Sequence, residues 1–221
     1  MTQTISRRAM LGSLAAIPVL AQDSSDKEKQ LKLWNGVYST PSEMVTPYPN
    51  RFLADSIPSL TPGKALEIGS GQGRNSLYLA RQGWDVTGID ISDAGIEIAR
   101  KQAAKSNLKF LGVVADFNTY DLGTGRWDLI VGIYMGGLIT SNAKRIAAAL
   151  RPGGHLVVEN YHADLNRKGI TGDQLGYPVN ALLDAFAPLL RIVQYEEFRD
   201  FPDWGNRGEK VPLVHMLARK S

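Results

Sequence analysis

From residue 64 onward, short, mainly apolar runs alternate with segments whose apolar positions recur every three or four residues. The runs at 65–68, 86–89, 110–114, 129–133 and 156–158 lack polar alternation, which marks strands covered on both faces. The periodic segments at 75–81, 94–104 and 142–150 predict amphipathic helices between them. Strand-helix alternation of this kind builds right-handed βαβ units, hence a Rossmann-like α/β domain with a mostly parallel sheet and helices on both faces. The last third changes character. Residues 181–186 read as a helix, and 190–198 and 211–218 read as two long strands, which brings the expected sheet to seven strands. Upstream, the polar residues 23–29 read as a linker, and Leu31, Leu33, Trp34 and Val37 mark a short helix. Pro41, Pro47, Pro49, Pro58 and Pro62 then punctuate a loop with one helix near 51–57. No internal repeat or low-complexity run interrupts the pattern.

The first 21 residues stand apart. Arg7-Arg8 precedes an apolar stretch at 9–20, and Val19-Leu20-Ala21 fits a small-residue cleavage site. Ser6-Arg7-Arg8-Ala9-Met10-Leu11 resembles a twin-arginine export signal, and the stretch is too short to span a bilayer as a helix. The expected organisation is a signal at 1–21, an N-terminal helical cap at 22–62 and the main domain at 63–221. Export to the periplasm is the implied location, without stable membrane insertion. A cytoplasmic protein that keeps an apolar N-terminal helix is the alternative.

Composition narrows the chemistry. The net charge of +3 falls to +1 once Arg7 and Arg8 are set aside, because residues 1–21 hold no acid. A near-neutral remainder provides no electrostatic footprint for nucleic acid. The chain has no cysteine, which removes thiolate nucleophiles and cysteine metal sites, and its His155, His162 and His215 match no ligand spacing. No metal is expected.

The densest signal is Glu67-Ile68-Gly69-Ser70-Gly71-Gln72-Gly73, placed between a strand and a helix. Glycines there permit a tight turn and a close backbone approach to a ligand. Arg74 occupies a position where dinucleotide loops need a small residue, so a pyrophosphate ligand is disfavoured. Asp90 ends the next strand, where a carboxylate accepts hydrogen bonds from ribose hydroxyls. Asp116-Phe117 ends the third, where an acid and an aromatic face suit an adenine. Either acid alone also reads as a helix N-cap.

Together with Trp127-Asp128-Leu129-Ile130 and Leu150-Arg151-Pro152-Gly153-Gly154, these motifs resemble the class I S-adenosylmethionine-dependent methyltransferases. Gly73-Arg74-Asn75-Ser76-Leu77-Tyr78-Leu79-Ala80 and the ending Met216-Leu217-Ala218-Arg219-Lys220 are similar to the tellurite-resistance branch, related to the thiopurine methyltransferases. The resemblance implies S-adenosylmethionine as cofactor, with the glycine loop at its methionine part, Asp90 at the ribose and Asp116-Phe117 at the adenine. The implied cofactor-binding set is Glu67, Gly69, Ser70, Gly71, Gly73, Asn75, Asp90, Ile91, Asp116 and Phe117. Trp34 and Tyr38, four apart on one helix face, join it through cation–π attraction to a sulfonium, with plain packing as the alternative.

The resemblance further implies a small-molecule acceptor with a soft nucleophile, such as a thiol or a chalcogen oxyanion. Tyr134-Met135-Gly136-Gly137 replaces the Asn/Asp-Pro-Pro-aromatic pattern of amide-directed enzymes, which argues against nucleic-acid bases and glutamine side chains. Candidate catalytic residues are Tyr134, His162 and Arg207, the last being the only fixed cation in 201–208. A soft, already anionic acceptor would need no general base. The competing readings are a nicotinamide-dependent oxidoreductase and a non-catalytic nucleoside-binding protein of the same fold.

Overall fold

A computed structural model describes residues 24–39, 46–168, 176–204 and 208–221. Residues 1–21 and Arg207 lie outside the described residues. Seven strands form one sheet in the order β3-β2-β1-β4-β5-β7-β6. They are β1 (Lys64–Ile68), β2 (Asp85–Asp90), β3 (Phe110–Val114), β4 (Trp127–Ile133), β5 (Leu150–Tyr161), β6 (Arg191–Asp200) and β7 (Val211–Arg219). β1 to β5 run parallel, while β7 pairs antiparallel with both β5 and β6. Strand order reverses at β1, and its two crossovers leave a crevice there outside the carboxyl ends of the strands.

The helices are α1 (Ser24–Ser39), α2 (Arg51–Ser56), α3 (Arg74–Arg81), α4 (Asp93–Lys105), α5 (Gly137–Ser141), α6 (Ala143–Ala149) and α7 (Ala181–Phe186). One face of the sheet buries Leu66, Ile68, Ile130, Leu156 and Val158 against α5, α6 and α7. The other buries Ala65, Leu129, Val131 and Val157 with Phe52 and Leu53 of α2 and Leu79 of α3. A fully buried Leu or Ile contributes about 1.5–3 kcal/mol, so these two layers dominate the stability of the fold. Among the described residues no helix is long and apolar enough to cross a membrane.

Three expectations need correction. The polar segment 23–29 is helical from Ser24, because Lys27, Glu28, Lys29 and Gln30 are good helix formers and carry α1 back from its docked end. β5 begins at Leu150, well before the apolar run at 156–158. Leu150 pairs Trp127, and a register shift between Trp127 and Leu129 accommodates the Arg151-Pro152-Gly153-Gly154 stretch. α5 was not foreseen, being five residues long and opening on Gly136 and Gly137.

Candidate cofactor and acceptor site

The glycine loop leaves β1 and turns back under Asp90. Gly69 N and Ser70 N both donate to Ile89 O, at 2.8 and 2.9 Å, which holds the loop across the ends of β1 and β2. Asp90 Oδ2 accepts from Gly71 N at 2.8 Å and Oδ1 from Ser92 N at 2.8 Å. Each oxygen keeps a second lone pair, the capacity that a ribose diol requires. Burial raises the Asp90 pKa, and its bonds to Ser92 and Gly71 oppose that rise. Ser92 separately caps α4, its Oγ accepting from Gly95 N at 3.0 Å. The helix-cap role therefore belongs to Ser92, which leaves Asp90 to the loop. Gly71 has φ +50, and a Cβ there would lie 2.3 Å from the Tyr38 hydroxyl oxygen.

Asp116 Oδ1 takes two bonds from Asn118, through its backbone N at 2.9 Å and Nδ2 at 3.2 Å. Phe117 is buried in the core with the Arg145 guanidinium 5.5 Å from its ring centre, so that ring face is occupied from within the protein. Ile91 follows Asp90 as a half-buried residue. The acids at the end of β2 and after β3 stand at the same carboxyl edge as the loop after β1, the edge at which open α/β sheets bind ligands.

Glu67 and Asn75 work one layer below. Glu67 is 1% exposed and accepts from Asn75 Nδ2 at 2.8 Å and from the Ser76 hydroxyl. It braces the start of α3 beneath the loop and does not reach into the crevice. Burial pushes its pKa up to about 7, against the lowering effect of Ser76 and Asn75. Ser70 Oγ joins the same cluster, 2.9 Å from Ser76 Oγ.

Beside the loop stands an aromatic chamber. Trp34 stacks on Tyr38 at 6.1 Å between ring centres, Trp34 meets Trp204 at 5.9 Å, Trp204 meets Tyr134 at 5.9 Å, and Tyr134 meets Tyr161 at 5.1 Å. Asn35 ties α1 down over α4, accepting from Ser92 Oγ at 2.6 Å and donating to Asp93 Oδ1 at 2.6 Å. Tyr134 has φ +57, an uncommon backbone state for a bulky residue. Burial raises the pKa values of Tyr38, Tyr134 and Tyr161, with nearby carboxylates adding to the rise, so all three hydroxyls keep their protons.

The chamber's polar wall hangs on Asn50, the residue that precedes α2. Its Oδ1 caps the helix by accepting from Leu53 N at 2.9 Å. Its Nδ2 donates to Glu159 Oε1 at 2.7 Å and Asp203 Oδ2 at 2.8 Å, while its backbone N donates to Asn75 Oδ1 at 2.7 Å. Arg74 Nη2 pairs with Asp203 Oδ1 at 3.0 Å, and the Tyr161 hydroxyl donates to Trp204 O at 2.6 Å. These contacts hold residues 203–204 over the site. Arg74, unexpected in a glycine loop, is the anchor of that flap.

His162 is not brought to the chamber. Successive strand residues face opposite ways, so Tyr161 enters it while His162 packs on the other face, beside Tyr177 and 3.5 Å from Glu197 Oε2. Its candidacy as a base there falls away. Among the described residues no group of three or more His, Asp and Glu side chains is placed to hold a metal ion. Asn50, Glu159, Asp203 and Trp204 escaped the sequence reading. Only Glu159 left a signal, as an acid directly after the buried run at 156–158.

Residues 65–154 match the family described as a methyltransferase domain. Over that stretch the chain is similar to the S-adenosylmethionine-dependent methyltransferases, and its fold is that of a methyltransferase domain. S-adenosylmethionine is the cofactor of that domain, which replaces the nicotinamide alternative. The probable S-adenosyl-L-methionine-dependent methyltransferase TehB of Haemophilus influenzae is 35% identical over 79 residues, covering 36% of this chain and 27% of that protein. The chain thus spans about a quarter of that relative's length. The crystal structure of TehB from Haemophilus influenzae superposes with a TM-score of 0.65 at 22% identity, over 87% of this chain and 67% of that one. A structure solved for the conversion of a disulfide bond into a thioacetal group during echinomycin biosynthesis gives 0.67 at 22%, over 87% and 92%. The last two likenesses concern the fold.

Proposed function

We propose that the protein transfers a methyl group from S-adenosylmethionine to a small acceptor with a soft nucleophilic atom, a thiol or a related chalcogen. One observation carries the reading: the aromatic group of Trp34, Tyr134, Tyr161 and Trp204 stands beside the glycine loop, with Trp34 supplied by α1 and Trp204 by the 203–204 flap. When bound, the cofactor supplies an electrophilic methyl group on a sulfonium. The chain's own residues align, desolvate and screen. Asp90 and Asp116 hold the nucleoside end, and the loop fixes the amino-acid end. The aromatic faces favour a cationic sulfonium over water. The similarity to TehB and the sulfur chemistry named for the echinomycin structure support a soft acceptor.

Charge refines the acceptor. Among the described residues around the chamber, the carboxylates Glu159 and Asp203 face one cation, Arg74, which is already paired with Asp203. An acceptor that enters neutral suits this wall better than a preformed oxyanion, since a buried like charge is costly. A wall of packed aromatic side chains suits a small molecule better than a nucleic acid. Methyl-labelled cofactor incubated with a panel of small thiols, selenols, selenite and tellurite tests the reading. Label should appear in a thiol or selenol product. Label in none of them, with S-adenosylhomocysteine still bound, would leave the non-catalytic alternative in its place.

A further inference from the structure

Glu159, His215 and Glu196 stand in register on three neighbouring strands. Glu159 of β5 pairs His215 of β7, and His215 pairs Glu196 of β6. Register partners share a face, so the three side chains form one row across the sheet, on the face that also buries Val157 and Leu217. Ionisable groups set into apolar packing cost desolvation free energy, and this row begins at the acceptor chamber. Tyr134 Oη donates to Glu159 Oε1 at 3.3 Å. Glu159 Oε2 lies 3.8 Å from His215 Nδ1, and His215 Nε2 lies 3.5 Å from Glu196 Oε2, on a side chain 57% exposed. The His215 ring is stacked on Phe52 at 3.8 Å and 5° and flanked by Phe198 at 4.7 Å, so its two nitrogens are fixed toward the two carboxylates.

Resting on the methyl-transfer reading, we propose that Tyr134, Glu159 and His215 form a proton exit route from the acceptor to solvent at Glu196, which makes the acceptor a neutral X–H nucleophile. As the lone pair on X takes the methyl group, the X–H bond breaks and its proton moves to the Tyr134 oxygen. The hydroxyl proton of Tyr134 passes at the same time to Glu159 Oε1. Tyr134 ends neutral and Glu159 ends as the uncharged acid. The positive charge that enters on the sulfonium is cancelled by the carboxylate charge lost, so atoms and charge balance. The neutral Glu159 carboxyl then turns to bring its protonated oxygen from Tyr134 to His215, which, with its resting proton on Nε2, the nitrogen facing Glu196, accepts at Nδ1 and releases the Nε2 proton to Glu196 and water. The Gln194 side-chain amide flanks that nitrogen at 3.4 Å and presents its oxygen to the N–H when turned. Both His215 gaps exceed hydrogen-bond length, and a protonated ring between two carboxylates is drawn to close them. The other charged or titratable groups facing Glu159 are Tyr161, Asp203 and Arg74, and the last two neutralise each other.

The test is Glu159→Gln, which keeps an oxygen for Asn50 and Tyr134 to bond. It is assayed on two thiols, one un-ionised and one fully ionised at the assay pH. General-base removal costs typically 10²–10⁴-fold, so the rate on the un-ionised thiol should fall at least about a hundredfold. The ionised thiol has no proton to lose and meets one carboxylate fewer, so its rate should rise. Equal losses on both, or none on either, would overturn the route while leaving methyl transfer intact. Absence of methyl transfer by the wild type would instead sink the reading on which the route rests, and the route with it. A second readout needs no turnover. In the resting protein Glu159→Gln should move the imidazole ¹⁵N resonances of His215 and leave those of His155 in place, and unmoved His215 signals would refute the contact.

Discussion

Replacing Asn50 by alanine should destabilise the protein by about 3–5 kcal/mol, far more than an ordinary helix cap. The cap itself, Oδ1 accepting from Leu53 N, is worth about 1 kcal/mol. The larger part comes from Nδ2, which bridges Glu159 and Asp203 at 2.7 and 2.8 Å. Hydrogen bonds to charged groups contribute about 1.5–3 kcal/mol each, and two sharing one donor group will not add fully. Alanine would leave Glu159 Oε1 with the Tyr134 hydroxyl and the 203–204 flap tied to α2 by the Arg51 N–H, 3.2 Å from Asp203 Oδ2. Against a total stability of about 5–15 kcal/mol, the loss is severe. Urea unfolding of wild type, Asn50→Ala and Asn50→Ser resolves the parts, because serine restores the cap and not the bridge. Serine should recover about 1 kcal/mol and no more. A total loss below about 1.5 kcal/mol, or full recovery by serine, would show that the bridge is energetically idle and refute the reasoning.

Gly71→Val should abolish S-adenosylhomocysteine binding in calorimetric titration with the fold retained, since a side chain there strikes Tyr38 at φ +50, and unchanged affinity would sink the loop assignment. Glu67 predicts a pH effect of defined sign. Its folded pKa of about 7 lies above the ordinary 4.5, so its proton stabilises the fold, and that contribution is lost as pH rises from about 4.5 through 7. Glu67→Gln should therefore gain stability relative to wild type between pH 5 and 8 in denaturant titrations, and a constant difference across that range would contradict it. If residues 1–21 direct twin-arginine export, lysine at both Arg7 and Arg8 should hold the protein in the cytoplasm of a bacterial host, as read by cell fractionation.

Much of the site was legible because its parts are local. A glycine loop, an acid at the end of β2 and an acid at the end of β3 sit at the carboxyl edge of adjacent strands, and hydrophobic periodicity fixes where those strands end. The sheet was equally readable, since β1, β2 and β4 are almost wholly buried and leave mainly apolar runs. What escaped is long-range. Asn50 reaches Glu159 and Asp203 across more than a hundred residues of chain, a pairing that no window along the sequence displays. Trp204 looks like a loop residue until α1 and Tyr134 close around it. Arg74 reads as an anomaly in the loop until Asp203 supplies its partner. His162 is hard to place from sequence because β5 continues beyond the apolar run to Tyr161, and His162, the next residue, bridges Tyr177 on the other side.

The most direct measurement is calorimetric titration of S-adenosylhomocysteine into the wild type and Asp90→Ala. The central claim is that the crevice at β1 and β2 holds the cofactor, with the Asp90 carboxylate on the ribose and on Gly71 N at 2.8 Å. Wild type should bind one equivalent, and loss of the carboxylate should weaken binding at least about tenfold, the equivalent of about 1.4 kcal/mol. No binding to the wild type, or a change under about twofold in Asp90→Ala, would contradict the account.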